Sequence, residues 1–147
     1  MVTAEENECL IKPVSDDEIY NAIFQMDPHK APGSDGFGAS FFEDHWVAIK
    51  DLLSVAIKDF FYAGKLLKEV NHTLITLIPN IDNPKTTAHF CPISLCTTVY
   101  KILAKILVNI LRPVLQRIIH PTQSAFIPSR TIHDNILLNM QYKRDSH

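Results

Sequence analysis

Residues 73–96, TLITLIPNIDNPKTTAHFCPISLC, decide the fold that this sequence predicts. The run 73–78 is short, rich in β-branched residues and bounded by a proline, and a second short apolar run covers 90–95. The turn-forming residues Asp82-Asn83-Pro84 lie between the two runs. We therefore expect two strands of a hairpin or ribbon. Pro92 either places the second strand at an edge or marks a bend near its start.

Helical patterns precede this ribbon. Ser15 and Glu18 have the spacing of a capping box that opens an amphipathic helix, which must stop before Pro28. Apolar side chains then recur at helical spacing through residues 41–61, in one long helix or two. Gly64 is a natural C-terminal stop for this region.

A helical pattern also follows the ribbon. It begins at Thr97 or Thr98 and runs to about Ile119, with Pro113 either kinking the helix or dividing it in two. A last helix is predicted to start near Thr131. The chain is therefore expected to be α+β and helix-rich, with a short β-hairpin between helical segments.

The segment 29–38 holds three of the four glycines in the protein, so it must form a shaped loop. Gly33 and Gly38 have the spacing of the two glycines of a phosphate-binding P-loop. However, Ala39 and Ser40 follow the second glycine where a P-loop needs lysine and then serine or threonine. The motif test for a nucleotide-binding P-loop therefore fails.

Charge is distributed unevenly along the 147 residues, although the formal net charge is only -2. Residues 1–62 carry twelve acidic and four basic side chains, whereas residues 97–147 carry seven basic and two acidic ones. Such asymmetry between halves is typical of a protein with a charged partner. The alternative is two differently solvated surfaces that attract each other.

The predicted helix after the ribbon has a basic side. At about 100° per residue, Lys101, Lys105 and Arg112 project within about 40° of each other. The far side is predicted to face the core and carries Leu103, Ile106, Leu107 and Ile110. A partner site and an ordinary solvated face are both compatible with this pattern.

The sequence gives little support for a metal site, a disulfide framework, a targeting peptide or a membrane span. The three cysteines lack CxxC spacing and the seven histidines are scattered, which argues against a metal site or a disulfide framework. The N-terminus is acidic and resembles no signal or transit peptide, and no apolar run could span a membrane. We expect an intracellular protein, nuclear or cytoplasmic, with no membrane partner and no small-molecule cofactor.

The order of several short segments is more specific than any single motif. The segments are PVSDDEI (13–19), KAPGSDGF (30–37), LIPN (77–80), FCPISLC (90–96), YKI (100–102), QSAFIPSR (123–130) and DN (134–135). Their order resembles the successive blocks that open the reverse transcriptase domain of LINE-type (non-LTR) retrotransposons, especially those of plants. The resemblance covers roughly residues 10–140.

This resemblance implies the fingers and early palm of a right-hand RNA-directed DNA polymerase, whose two Mg²⁺ ions are held by palm aspartates. The 147 residues contain neither metal-binding aspartate block, and Asp134 matches the Asp-Asn block, which holds no metal. No catalytic or metal-binding residue is therefore assigned, and we expect a fragment that is inactive as a polymerase by itself. The expected parts are a flexible acidic N-terminus (1–12), a partial reverse transcriptase domain (13–143) and a tail (144–147).

The resemblance also implies binding residues. Asn80 and Cys91 stand where the family usually has lysine and arginine near the triphosphate of the incoming nucleotide, so this phosphate region is degenerate. Lys101, Lys105 and Arg130 are implied to be remnants of a surface that tracks the phosphates of an RNA template or DNA primer. Binding of such partners is expected to be weak or absent here, and steeply salt-dependent.

Two alternatives stay open at this point. Instead of a reverse transcriptase fragment, the chain would be a non-catalytic nucleic-acid-binding module that uses its basic C-terminal third, or a vestigial product with no partner. The lost positive charges are the pattern of a decayed or truncated copy.

Overall fold

The computed structural model describes residues 2–120 and the single positions 123, 127, 131, 133 and 136. The chain divides into two compact units, one of residues 13–106 and one of residues 1–12 together with 107–147. Its elements are α1 (Ala4–Ile11), α2 (Asp16–Phe24), α3 (Ala39–Asp44), α4 (Trp46–Ala63), β1 (Thr73–Pro79), β2 (Phe90–Cys96) and α5 (Thr98–Ile118), with a 3₁₀ turn at Thr87–His89. The prediction of a helix-rich α+β chain with a hairpin between helical segments is confirmed.

Helix α2 begins as its sequence predicts. The backbone N–H of Glu18 donates to Ser15 Oγ at 3.3 Å, and the backbone N–H of Ser15 donates to Glu18 Oε2 at 2.8 Å. This reciprocal capping satisfies amides that the first turn leaves without partners. The helix ends at Phe24, and Ile19 and Ile23 are fully buried.

Helix α1 is a correction to the sequence interpretation, which placed no helix in the acidic N-terminal segment. Thr3 and Glu6 form a second capping box, with the Thr3 N–H donating to Glu6 Oε2 at 2.8 Å. The same serine-or-threonine and glutamate spacing that identified α2 is therefore present here. No residue of α1 is buried, so the helix lacks the apolar face that makes such a start conspicuous in a sequence.

The sequence allowed one long helix or two helices in residues 41–61, and the structure has two. α3 and α4 are separated at His45, whose φ and ψ of -105° and 12° leave the helical region. Gly64 ends α4 with a φ of +66°, which confirms the predicted stop. A glycine is favoured there because a side chain strains this left-handed conformation.

The ribbon is an antiparallel pair in which Thr73 lies opposite Cys96 and Pro79 lies opposite Phe90. All seven residues of β1 are exposed, and most of β2 is exposed too. Among the described residues the sheet has two strands, so Pro92 does lie in an edge strand.

The position of Pro92 within the hydrogen-bond pattern explains why the ribbon tolerates it. The N–H of Asn80 donates to the carbonyl of His89 at 2.8 Å, which identifies Asn80 and His89 as a hydrogen-bonded pair. Because such pairs alternate with non-bonded pairs, Pro92 and its partner Leu77 form a non-bonded pair. The Pro92 nitrogen therefore faces away from β1, where it needs no hydrogen to donate.

Helix α5 is continuous through Pro113, so of the two alternatives for this proline, a kink or a division into two helices, the division does not occur. Ile102, Leu103 and Ile106 are buried, which confirms two of the predicted core positions. Leu107 was expected in the core but is exposed. The buried arc is centred between Ile102 and Leu103, and Leu107 lies beyond its edge at 100° per residue.

Each unit has its own buried side chains. In the unit of residues 13–106 the hydrophobic core comes from the three helices before the ribbon, from the segments that flank them and from the start of α5: Val14, Ile19, Ala22, Ile23, Ala39, Phe42, Leu53, Ile57, Ile102, Leu103 and Ile106. In the other unit Val114 and Ile127 are buried, and Arg117 forms an ion pair with Glu6. Within the described residues, no helix is long and apolar enough to cross a membrane. The predicted tail, and most of the helix predicted near Thr131, lie outside the described residues.

The glycine loop packs against the end of the ribbon. Gly33 is buried, and a Cβ built on it would lie 2.5 Å from the Thr97 nitrogen and 2.6 Å from the Cys96 carbonyl carbon and oxygen. These are backbone atoms, which cannot rotate away. Only glycine allows the loop to approach the chain this closely.

We expect Gly33→Ala to lower the free energy of unfolding by about 1–3 kcal/mol, because the new methyl group must push two backbone segments apart. Gly38→Ala is the matched control, since a Cβ at Gly38 meets its nearest atom at 3.7 Å, an ordinary contact. Urea denaturation of the three proteins measures the effect. Equal midpoints for Gly33→Ala and the wild type would contradict it.

The ion pair between Lys58 and Asp16, with Nζ and Oδ1 2.7 Å apart, predicts a pH dependence. The hydrogen bond from Lys58, followed by one from Ser54, lowers the pKa of Asp16 below its ordinary value of 3.8. A lowered folded-state pKa stabilises the protein above the ordinary pKa, and this contribution is lost as pH falls through the folded-state pKa. We expect Asp16→Asn to be less stable than wild type at neutral pH, with the difference disappearing below that lower pKa.

Asp17→Asn serves as the control, because Asp17 shares the first turn of α2 but makes no ion pair within the described residues. Denaturation midpoints at several pH values from neutral downward give the comparison. A difference for Asp16→Asn that persists unchanged in acid would rule out the ion pair as its cause.

Candidate nucleic-acid interface

The ribbon brings together the two residues predicted for the nucleotide-phosphate region. Cys91 lies directly opposite Ile78, and Asn80 follows Ile78 by two positions. Since side chains alternate between the faces of a strand, Asn80 and Cys91 lie on the same face of the ribbon. Both residues are exposed, so a ligand could reach both.

This face offers little charge to a phosphate. Besides Asn80 and Cys91, the positions on it are apolar or neutral: Leu74, Thr76, Ile78, Ile93 and Leu95. A neutral amide can donate a hydrogen bond to phosphate, and a thiol donates only weakly. Asn80 and Cys91 therefore lack the charge that makes hydrogen bonds to phosphate strong.

Lys101 lies in the first turn of α5, and its ammonium group already has a hydrogen-bond acceptor in the chain. Its Nζ donates to the carbonyl oxygen of Ala31, in the glycine loop, at 2.7 Å. The side chain is half-buried. Lys101 therefore fixes the loop to the helix, a role that its position on a helical wheel does not reveal, and its predicted contact with phosphates stays a prediction.

Lys105 lies one turn further along α5 and differs from Lys101 in its contacts. It is half-buried, and its ammonium group has no hydrogen bond or ion pair within the described part of the chain. Its neighbour Ile106 and the preceding Ile102 are buried, so the helix that carries it is held by the core. Among the two described candidate lysines, Lys105 is the one whose charge stays available. Arg130 lies outside the described residues.

The junction between β2 and α5 contains two polar residues whose burial and hydrogen bonds the sequence did not predict, although it placed the helix start at one of them. Thr97 and Thr98 are buried. Thr97 Oγ1 donates to the carbonyl of Val70 at 2.7 Å and accepts from the N–H of Tyr100 at 3.3 Å. Thr98 Oγ1 donates to the carbonyl of Phe37 at 2.5 Å. The sequence does carry one signal of this hydrogen-bonding role. Two threonines stand where the strand is expected to pass into the helix, and threonine is a common N-cap.

No catalytic centre can be assembled from the described residues. They contain no group of three or more His, Cys, Asp or Glu side chains that could hold a metal ion. The cysteines Cys9, Cys91 and Cys96 are free thiols.

Comparison with known proteins indicates where the chain comes from. No protein-family model matches the chain. The chain is 33% identical over 138 residues to the transposon TX1 uncharacterized 149 kDa protein of Xenopus laevis, a match that covers 94% of this chain. The chain spans 11% of the length of that protein. Nearly all of the chain is thus similar to one stretch of a transposon protein, which indicates a transposon origin.

Proposed function

We propose that the chain is the fingers and early palm part of the reverse transcriptase of a LINE-type retrotransposon, and that it contacts the phosphates of an RNA template or DNA primer. The observation that carries this proposal is the 33% identity to a transposon protein along 94% of the chain. The matched length includes the ordered blocks that resemble a reverse transcriptase. A chance resemblance of short blocks does not account for continuous similarity over 138 residues.

The contacts of α5 support a binding role. Lys105 presents an ammonium group that is unpaired within the described residues, from a helix whose Ile102 and Ile106 are buried. A fixed helix loses little freedom when a cation on it meets a phosphate. Phosphate contacts are independent of base sequence and release counterions, so the binding weakens steeply as salt rises.

The same chain is proposed to be inactive in polymerisation by itself. Nucleotidyl transfer by two metal ions requires carboxylates that hold both ions. The 147 residues contain no Tyr-or-Phe-Ala-Asp-Asp block, and Asp134 is not proposed as a ligand. The chemistry then belongs to palm residues that a complete domain of this family supplies together with Mg²⁺.

The nucleic-acid contact predicts different effects for the two lysines. Lys105→Ala should weaken binding of an RNA–DNA duplex and reduce the slope of log affinity against log salt by about 1, because one phosphate contact is lost. Lys101→Ala should instead lower the free energy of unfolding by about 1 kcal/mol, since it releases the Ala31 carbonyl. Fluorescence anisotropy across a salt series and urea denaturation measure the two effects.

Lys50→Ala is the matched control for charge, because Lys50 is an exposed lysine on α4. It should leave both the salt slope and the stability near wild-type values. Binding that does not weaken between low and moderate salt, or a Lys105→Ala slope equal to that of wild type, would exclude the proposed phosphate contact.

Restoring charge on the ribbon face tests the nucleotide side of the proposal. We expect Asn80→Lys combined with Cys91→Arg to raise affinity for a deoxynucleoside triphosphate by about tenfold or more, because hydrogen bonds to charged groups contribute about 1.5–3 kcal/mol. Both positions are exposed, so the fold tolerates the longer side chains. Isothermal titration calorimetry measures the affinity.

The control introduces the same two charges on the opposite face, at the exposed positions Ile75 and Ser94, which lie opposite each other. Equal gains from both double variants would show a general charge effect and count against a phosphate region at Asn80 and Cys91.

The absence of polymerase activity is tested by primer extension. The purified chain, incubated with a primed RNA template, deoxynucleotides and Mg²⁺, should give no extended product. Detectable incorporation that persists through purification would contradict the proposal that the chain is inactive in polymerisation by itself.

A further inference from the structure

The outer side of α4 carries large apolar side chains that nothing in the described chain covers. Leu52, Val55 and Tyr62 are between 68% and 94% exposed. On the other side of the same helix, Leu53 and Ile57 are buried in the core. Helix α4 is therefore apolar on two sides, and only one of them is packed.

The exposed residues follow the spacing of a helix that packs on another helix. Ala48, Leu52, Val55, Asp59 and Tyr62 are separated by four, three, four and three residues, which is the alternation of seam positions in paired helices. At 100° per residue these five positions fall within about 80° of one another. We call this row of residues the α4 seam.

The charges on this side of α4 are acidic. Asp59 lies in the α4 seam and Asp51 lies beside it, and neither makes an ion pair within the described residues. The nearby cation Lys58 is already paired with Asp16. Since like charges repel, a second copy of this chain would bring one acidic seam against another, so a basic partner fits better.

We propose that the α4 seam is a docking surface for an amphipathic helix of another protein chain. The apolar stripe of that helix packs on Leu52, Val55 and Tyr62, and a lysine or arginine within the stripe faces Asp59. This mode of recognition lays the apolar face of one helix along an apolar surface. The inference is independent of the proposed function, because it uses neither Lys105 nor the ribbon.

A cavity beside the seam gives the partner an anchoring point. It has a volume of about 450 Å³ and lies between the last turns of α4, the segment 65–70 and the start of α5. Its walls are largely apolar, with Phe60, Leu66 and Leu103 among them, and the charged residues Asp59, Lys65 and Lys68 also line it. A bulky apolar side chain of the docked helix can enter this space, in the way that buried anchors stabilise interfaces.

The test uses two synthetic peptides of three heptads, with leucine at the seam positions except one. That position is lysine in the first peptide and glutamate in the second. Fluorescence anisotropy with the full chain should show binding of the lysine peptide, and about tenfold weaker binding of the glutamate peptide. Leu52→Asp should weaken the lysine peptide by at least tenfold. Because Leu52 is 79% exposed, this variant keeps the fold, which circular dichroism verifies.

A charge exchange makes the test specific to the seam. Asp59→Lys should reverse the preference, so that the glutamate peptide binds more tightly. Asp17→Lys makes the same change of charge at an exposed position on α2, and it should leave the original preference intact.

Three results would overturn the proposal. The first is that the wild-type chain binds neither peptide. The second is that Asp17→Lys changes the preference as much as Asp59→Lys does, which shows general attraction to an acidic protein. The third is that the wild-type chain is a dimer in sedimentation and Leu52→Asp makes it a monomer, which assigns the α4 seam to a second copy.

Discussion

The close contact of Gly33 with the backbone of Cys96 and Thr97 is the constraint on which the unit of residues 13–106 depends. It joins the loop after α2 to the point where the ribbon becomes α5. Thr98 and Lys101 bind two more carbonyls of the same loop. The buried threonines at this junction thus use their own hydroxyl groups, which lie away from water, to bind carbonyls of neighbouring segments. A glycine at one position allows three segments that are distant in the sequence to meet.

Local signals in the sequence were enough to predict most elements. The capping box at Ser15, the stop at Gly64 and the two apolar runs of the ribbon each depend on residues a few positions apart, and each is confirmed. Helix α1 was not predicted, although Thr3 and Glu6 carry the same capping signal, because no buried apolar face follows that signal. The shaped loop was predicted from its glycines. What Gly33 packs against could not be, since that contact spans more than sixty residues.

The sequence predicted the candidate site only in part, as it did the fold. Periodicity puts Asn80 and Cys91 on one ribbon face once the register is known, but the register itself comes from the structure. A helical wheel gives Lys101 and Lys105 nearly the same direction and cannot say that only Lys101 finds a carbonyl to bind. Leu52 shows the same limit, because it shares the apolar repeat of α4 and yet lies on the side that its own chain does not cover.

The orientation of Pro92 makes the two margins of the ribbon chemically different. On the β2 margin a ring nitrogen without hydrogen faces outward, so a neighbouring strand would find a missing donor in the middle of its path. On the β1 margin the outward amides of Thr73, Ile75 and Leu77 remain in a continuous row, because the outward proline of that strand, Pro79, is its last residue. A strand that pairs with the β1 margin therefore meets three successive outward donors, whereas a strand that pairs with the β2 margin meets a missing donor at Pro92, between Phe90 and Ser94.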